Sequence, residues 1–379
     1  MSKLSGVILK FALFMEVIFF VVCGCSQGNS APASSEELTA NHVEGNGRYQ
    51  VNGRFLFDPW GENVVIRGIE NPLWNDSVDD CMVIIDEVEK TGANTFRILP
   101  LFPPEPAPYE EFKPYTVNQI ETAIKKVIAA KMIPDVAVAG GKFPDVYLQE
   151  DMKTMLLKYQ DRILIHAMGE ADYDDTELWV KNAKAVIAKL RNAGYTCPLY
   201  IMADWCGRKL PTLLERGQEV LNSDPLKNII FGWQAYWGEE GQYYQNMWGM
   251  TMKEALDKVR QAPIMIQIGL IVLSDTYDSN IQEAPIVDYS LIMAESEKYD
   301  MSWLFWSWCI GAEGMKLSLT GFYGDWDRLA KRDDNGNIVP GGLDLAVGEI
   351  IVLSDPNSLS KTSRKNSFLE FAAGTVTLP

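Results

Sequence analysis

Short apolar runs alternate with amphipathic stretches along most of this chain. The runs fall at 64–67, 95–99, 133–139, 163–168, 199–203, 229–233, 264–268 and 303–308. Between them, apolar residues recur every three to four positions over 79–90, 117–130, 176–192, 210–221, 252–260 and 286–299, the spacing of helices with one buried face. A less regular helical stretch falls near 146–157 and a last one near 343–353. Strands that are apolar throughout are buried on both faces, as parallel strands covered by helices are. Eight such strands, each followed by a helix, predict an α/β fold, a closed (β/α)8 TIM barrel. Upstream, YQVNGRFL (residues 49–56) reads as a hairpin turning at Asn52-Gly53 and placed to cap the bottom of the barrel.

The first residues do not fit this pattern. Lys3 and Lys10 lead into an apolar run, Phe11 to Val22, broken only by Glu16 and followed by Cys23-Gly24-Cys25. That is the layout of a signal peptide, and Val-Cys-Gly-Cys is similar to a bacterial lipobox, which would place a lipid anchor on Cys25. The expected organisation is a lipoprotein signal peptide over 1–24, a small and polar tether over 25–46, the barrel over 47–353, and a C-terminal extension over 354–379. Such a protein is exported and sits on the outer membrane or cell surface, tied to the membrane through Cys25.

Charge and composition narrow the function. A net charge of −17 argues against nucleic acid or anionic lipid headgroups as partners. With only His42 and His166, a histidine-based zinc site or a Ser-His-Asp triad is close to excluded. The remaining cysteines, Cys81, Cys197, Cys206 and Cys309, show no metal spacing, and their pairing is not legible. An acidic loop at 325–336 has several possible calcium ligands but no continuing EF-hand pattern, so it reads as solvated. No metal and no cofactor are implied.

In a parallel barrel the chemistry sits at the C-terminal ends of the strands. Here the run before Gly169-Glu170 stops on a carboxylate. The other strands carry or end in Glu70, Asn71 and then Trp74; Arg97; Asp204 and Trp205; Gln234, Tyr236 and Trp237; Gln267; and Trp306 and Trp308. Aromatic faces stack on the C–H faces of sugar rings, and amides and carboxylates bond hydroxyls. The reading is a carbohydrate cleft, with eleven tryptophans more than packing alone asks for.

The order of VNGRFLFDPWGENVVIRG (51–68), GANTFR (92–97), the 161–170 segment, AKLRNA (188–193), DPLKNIIF (224–231) and SWLFWSW (302–308) resembles glycoside hydrolase family 5, most closely its bacterial β-mannanase branch. The resemblance implies hydrolysis of β-linked polysaccharides with retention, by two glutamates. It places Glu170 at the acid/base position, although the family's preceding asparagine is Gly169. Arg97 matches an arginine that supports the nucleophile. Tyr236 matches, but its histidine partner is Gln234. Trp306 matches the aromatic floor. The nucleophile's strand reads PIMIQIG (263–269), which puts Gln267 or Ile268 where a glutamate is needed. An amide keeps a glutamate's shape without the charge that attacks the sugar.

The sequence therefore reads as a surface-anchored carbohydrate-binding lipoprotein on a degenerate hydrolase barrel. Trp74, Trp205, Tyr236, Trp237 and Trp306 would stack on a β-linked mannan or glucan, and Glu170, Arg97, Gln234 and Gln267 would bond its hydroxyls. Its partners would be polysaccharide or oligosaccharide and polysaccharide-uptake proteins. The rival reading is a working β-glycanase with Glu170 as acid and Glu239, Glu240, Glu70 or Asp204 as second carboxylate. A third is an assembly lipoprotein that kept only the barrel.

Overall fold

A computed structural model of the chain describes residues 42–73, 78–100, 115–138, 145–170, 175–235, 249–271, 287–308, 319 and 348–374. Three short strands, β1 (Gln50–Asn52), β2 (Phe55–Phe57) and β3 (Asn63–Val64), form an antiparallel sheet. Eight parallel strands follow: β4 (Arg67–Leu73), β5 (Thr95–Pro100), β6 (Ile133–Val136), β7 (Leu164–Met168), β8 (Leu199–Met202), β9 (Ile229–Gln234), β10 (Ile266–Ile271) and β11 (Trp303–Trp306). They pair in sequence, and β11 closes on β4 to complete the expected barrel.

The helices are α1 (Val78–Glu89), α2 (Val117–Ala129), α3 (Asp145–Leu148), α4 (Glu150–Leu157), α5 (Thr176–Asn192), α6 (Leu210–Ser223), α7 (Met252–Gln261), α8 (Tyr289–Lys298), α9 (Leu359–Thr362) and α10 (Ser367–Ala372). Their starts follow local chemistry. Thr116 caps α2 and Thr251 caps α7, each in a capping box with Gln119 or Glu254. Asp175 caps α5 by accepting from the backbone N–H groups of Glu177 and Leu178.

Several boundaries differ from the sequence pattern, and two of them matter. The apolar run at 64–67 spans two sheets: Val64 ends β3 and Arg67 opens β4. Asn94 makes this switch possible, because its side chain accepts from the Arg67 N–H (2.9 Å) and donates to the Val65 carbonyl (2.8 Å), replacing lost ladder bonds. Consequently Glu70 lies within the barrel strand and not beyond it. The seventh barrel strand starts at Ile266, two residues later than the apolar run, so Gln267 lies near its beginning and not at its C-terminal edge. The hairpin turns at Gly53-Arg54, one residue on from Asn-Gly, with Gly53 at φ +60°. The stretch near 146–157 splits into α3 and α4, and at the far end of the barrel Ile350–Ser354 forms a single π-helical turn.

Strand alternation sorts the apolar residues into two cores. Ile69, Phe96, Ile98, Ile165, Phe231, Ile266, Ile268 and Phe305 face outward and pack under the helices. Ile133, Leu164, Tyr200, Met202, Ile230 and Met265 face inward and fill the lower barrel. The bottom is closed by Tyr49, Leu56, Val64 and Ile66 from the N-terminal segment and by Phe368 and Leu369 of α10. The extension after residue 353, without a legible role in the sequence, is thus part of the plug. Phe368 meets Tyr49 and Trp60 edge to face at ring separations of 5.7 and 5.6 Å. Asn366 bonds Asp58, and Lys365 bonds the Ala130 carbonyl.

Phe368→Ala leaves a cavity at this seam, and we expect a loss of about 3–5 kcal/mol in unfolding free energy. Urea denaturation checks it. A loss under about 1 kcal/mol would mean that α10 only rests on the surface.

Candidate functional site

The barrel's middle layer is polar. Gly68 and Glu70 on β4, Arg97 on β5, Asp135 on β6, His166 on β7, Tyr200 on β8, Gly232 and Gln234 on β9, Gln267 on β10 and Trp306 on β11 all have the inward register, because their strand neighbours pack in the outer core. Arg97 organises this layer. Its Nε donates to Asp135 Oδ2 at 2.5 Å and its Nη1 to Glu70 Oε2 at 3.1 Å. The guanidinium lies over the Tyr200 ring, 4.3 Å from the centroid. Tyr200 reaches this position because β9 has no side chain at Gly232: a Cβ there would collide with the Tyr200 hydroxyl.

Burial sets the protonation of the layer. Burial pushes the Glu70 carboxyl up from its ordinary 4.5 to about 7; Arg97 opposes this, and the charges of Asp135 and Glu170 add to it. Burial raises Asp135 as well, with Arg97 pulling it back. Burial would lower Arg97, but Asp135 and Glu70 outweigh it and hold it cationic. Burial, and then the Arg97 charge, drives His166 well below its usual value, so this imidazole is neutral. Burial lifts the Tyr200 hydroxyl to about 12.

At the mouth, Glu170 stands two residues past β7 and is exposed. Its Oε1 accepts from Gln234 Nε2 at 2.6 Å. The pairing of Glu170 with Gln234, both named from sequence, is therefore present. Trp306 is half-buried beside Glu70 in register, and the Trp306–Ser307 peptide is cis.

Gln267 is not at the mouth. It is 1% exposed, pairs in register with Gly232, and neither of its amide atoms has a hydrogen-bond partner among the described residues. Ile268, the other position aligned with the nucleophile, faces outward into the core under the helices. No residue of β10 is acidic.

Trp205 is half-buried in a left-handed turn (φ 54°), and Arg208 covers one ring face at 4.6 Å. Asp204 is fully buried; it accepts from the Trp205 N–H at 2.6 Å, with Lys209 at 3.6 Å. Its carboxylate thus holds the turn. Of the tryptophans placed at the strand ends, Trp308 needs correction, being fully buried. Trp179, Trp233, Trp303 and Trp308 are fully buried core residues, and Trp60 packs at the barrel bottom. Cys197 is a buried free thiol. Trp74, Tyr236, Trp237, Glu239, Glu240, Cys25, Cys309 and the loop at 325–336 lie outside the described residues. No cluster of metal ligands occurs among the described residues.

Sequence reasoning missed Asp135 and Tyr200. A signal for Asp135 was present: an acid inside the apolar run at 133–139 must find a cation when the strand is buried on both faces. Tyr200 had no signal, since its role depends on Gly232 two elements away.

The chain is similar in sequence and in fold to known mannanases. No protein-family model matches the chain. A mannan endo-1,4-β-mannosidase of Salipaludibacillus agaradhaerens is 28% identical over 271 residues, 69% of this chain and 81% of the relative. A second, from Cellvibrio japonicus, is 23% identical over 85% of this chain and 70% of the relative. Among solved structures, the catalytic domain of a mannanase from Streptomyces sp. SirexAA-E superposes with a TM-score of 0.64 at 18% identity, covering 91% of this chain and all of that one. A mannotriose complex of Thermomonospora fusca β-mannanase gives 0.63 at 21% identity, over 85% and 99%.

The raised Glu70 has a consequence for stability. Its proton is held more tightly in the folded chain than in the unfolded one, so its contribution is full below about pH 4.5 and is lost as pH rises to about 7. The shift corresponds to about 3 kcal/mol. We expect Glu70→Gln to remove this loss, so that the stability difference between variant and wild type changes by about 1–3 kcal/mol between pH 4.5 and 7.5. Urea unfolding across that range measures it; a difference that does not vary with pH would show that Glu70 titrates normally.

Proposed function

We infer that this chain, a β-mannanase-like barrel of the glycoside hydrolase family 5 type, binds a β-linked mannan or glucan in the cleft at the C-terminal ends of its barrel strands without cleaving it by double displacement. One observation carries the second half of this reading. The seventh barrel strand, β10, carries no acidic residue: its amide Gln267 is shut inside the barrel and Gly269 is level with Gln234. Double displacement requires an anionic oxygen that attacks the anomeric carbon and then leaves it. An amide does neither.

Recognition does not require that charge. Glu170 with Gln234 supplies a hydrogen-bonding pair at the mouth, and Trp306 an apolar face beside Glu70. The curated relatives are mannan endo-1,4-β-mannosidases, which supports mannan as the first ligand to try. On this reading the segment before the barrel carries a lipid at Cys25 and holds the cleft at the cell surface, beside proteins that import the polysaccharide.

A second reading has one observation in its favour. Glu70 is a protonatable carboxyl whose charge is coupled to that of Glu170. A glycanase that used these two groups would need no acid on β10.

Calorimetric titration with galactomannan, glucomannan, mixed-linkage β-glucan and xylan separates these readings when run beside a reducing-sugar assay. The expected result is saturable mannan or glucan binding with reducing-sugar release at background. Release that disappears in both Glu170→Gln and Glu70→Gln would establish the second reading. Silence toward the whole panel by folded protein would remove both.

A further inference from the structure

We propose that Glu70 lines the glycan-binding cleft and that occupancy of the cleft places one proton on its carboxyl, so that binding tightens as pH falls through neutrality. The proposal rests on the glycan-binding reading and specifies how that site engages its ligand.

The argument begins with a count of charges. Two inward carboxylates, Glu70 and Asp135, share one guanidinium, and a third, Glu170, stands at the mouth above them. The remaining inward groups among the described residues of the neighbouring strands add no cation. His166 on β7 is neutral, Tyr200 on β8 keeps its proton, Gln234 on β9 and Gln267 on β10 are amides, and Trp306 on β11 is uncharged. When carboxylates outnumber the cation in a low-dielectric site, one of them is protonated at unusually high pH.

Geometry chooses which one. Asp135 has a side chain 0% exposed and takes the shorter bond to Arg97 Nε, at 2.5 Å. Glu70 takes the longer bond to Nη1, at 3.1 Å, and its side chain is 13% exposed. Because Glu70 faces inward, that exposure opens toward the barrel lumen and mouth, beside Trp306. Glu70 is therefore the carboxyl that gives up its charge, and the one that keeps contact with solvent. Its position near pH 7 in the free protein agrees.

A sugar seated over Trp306 displaces that solvent. Removing water from an already half-desolvated carboxylate raises the cost of its charge further. The favourable response is to draw a proton from the buffer onto the free Glu70 oxygen. The neutral acid then donates to a sugar hydroxyl or ring oxygen while its other oxygen still accepts from Arg97. Proton uptake and ligand binding are thereby linked.

Mannohexaose titrated by calorimetry at pH 6.5 and pH 8.5, each in two buffers of different ionisation enthalpy, tests this. Chromatography first establishes that the oligosaccharide is recovered intact. We expect Kd to rise about tenfold from pH 6.5 to 8.5, with between about a half and one proton taken up per ligand bound near pH 7.5. In Glu70→Gln, which mimics the neutral acid, the pH dependence disappears. Binding with no proton uptake and a flat pH profile overturns the proposal and leaves glycan recognition standing. No binding at any pH overturns the glycan-binding reading itself. The wild-type proton count decides the matter even if the variant does not fold.

Discussion

A single guanidinium in the middle of a closed barrel is the constraint from which most of this site follows. Arg97 is buried, so its charge must be met by anions within reach, and the neighbouring strands β4 and β6 provide Glu70 and Asp135. Its flat face needs a surface to lie on, which Tyr200 supplies. Tyr200 in turn needs space, and Gly232 leaves it. Residues of β4, β5, β6, β8 and β9 are thus tied together around one cation.

That arrangement bears on chemistry as well as stability. Two donors of Arg97 are engaged by β4 and β6, and β10 carries no acidic residue. A buried cation left without its anion costs several kcal/mol, and Glu70 and Asp135 meet that need from β4 and β6.

Below this layer the barrel is an ordinary apolar core, and it is closed by parts of the chain far apart in sequence. The N-terminal sheet and α10 meet there through Tyr49, Trp60 and Phe368. The plug separates the polar layer from solvent on the lower side, so the layer communicates with water only at the mouth. Low dielectric beneath and restricted access above hold His166 neutral and Glu70 close to neutrality.

The sequence alone determined the architecture, because strands buried on both faces must be apolar throughout and helices covering them must be apolar on one stripe. Those constraints are local, and eight repetitions of them left little choice of fold. It also determined that the site lacked an acid on the seventh strand, and it singled out Arg97, Glu170 and Gln234. What it could not determine was depth. A two-residue displacement of β10 moved Gln267 from the rim into the interior, and the split of the run at 64–67 moved Glu70 into the barrel. Trp308, placed from sequence at the end of the last barrel strand, proved to be core. Depth and partnership depend on register, on Gly232 making room for Tyr200 and on Asp135 meeting Arg97, and these are properties of strands brought together only when the barrel closes.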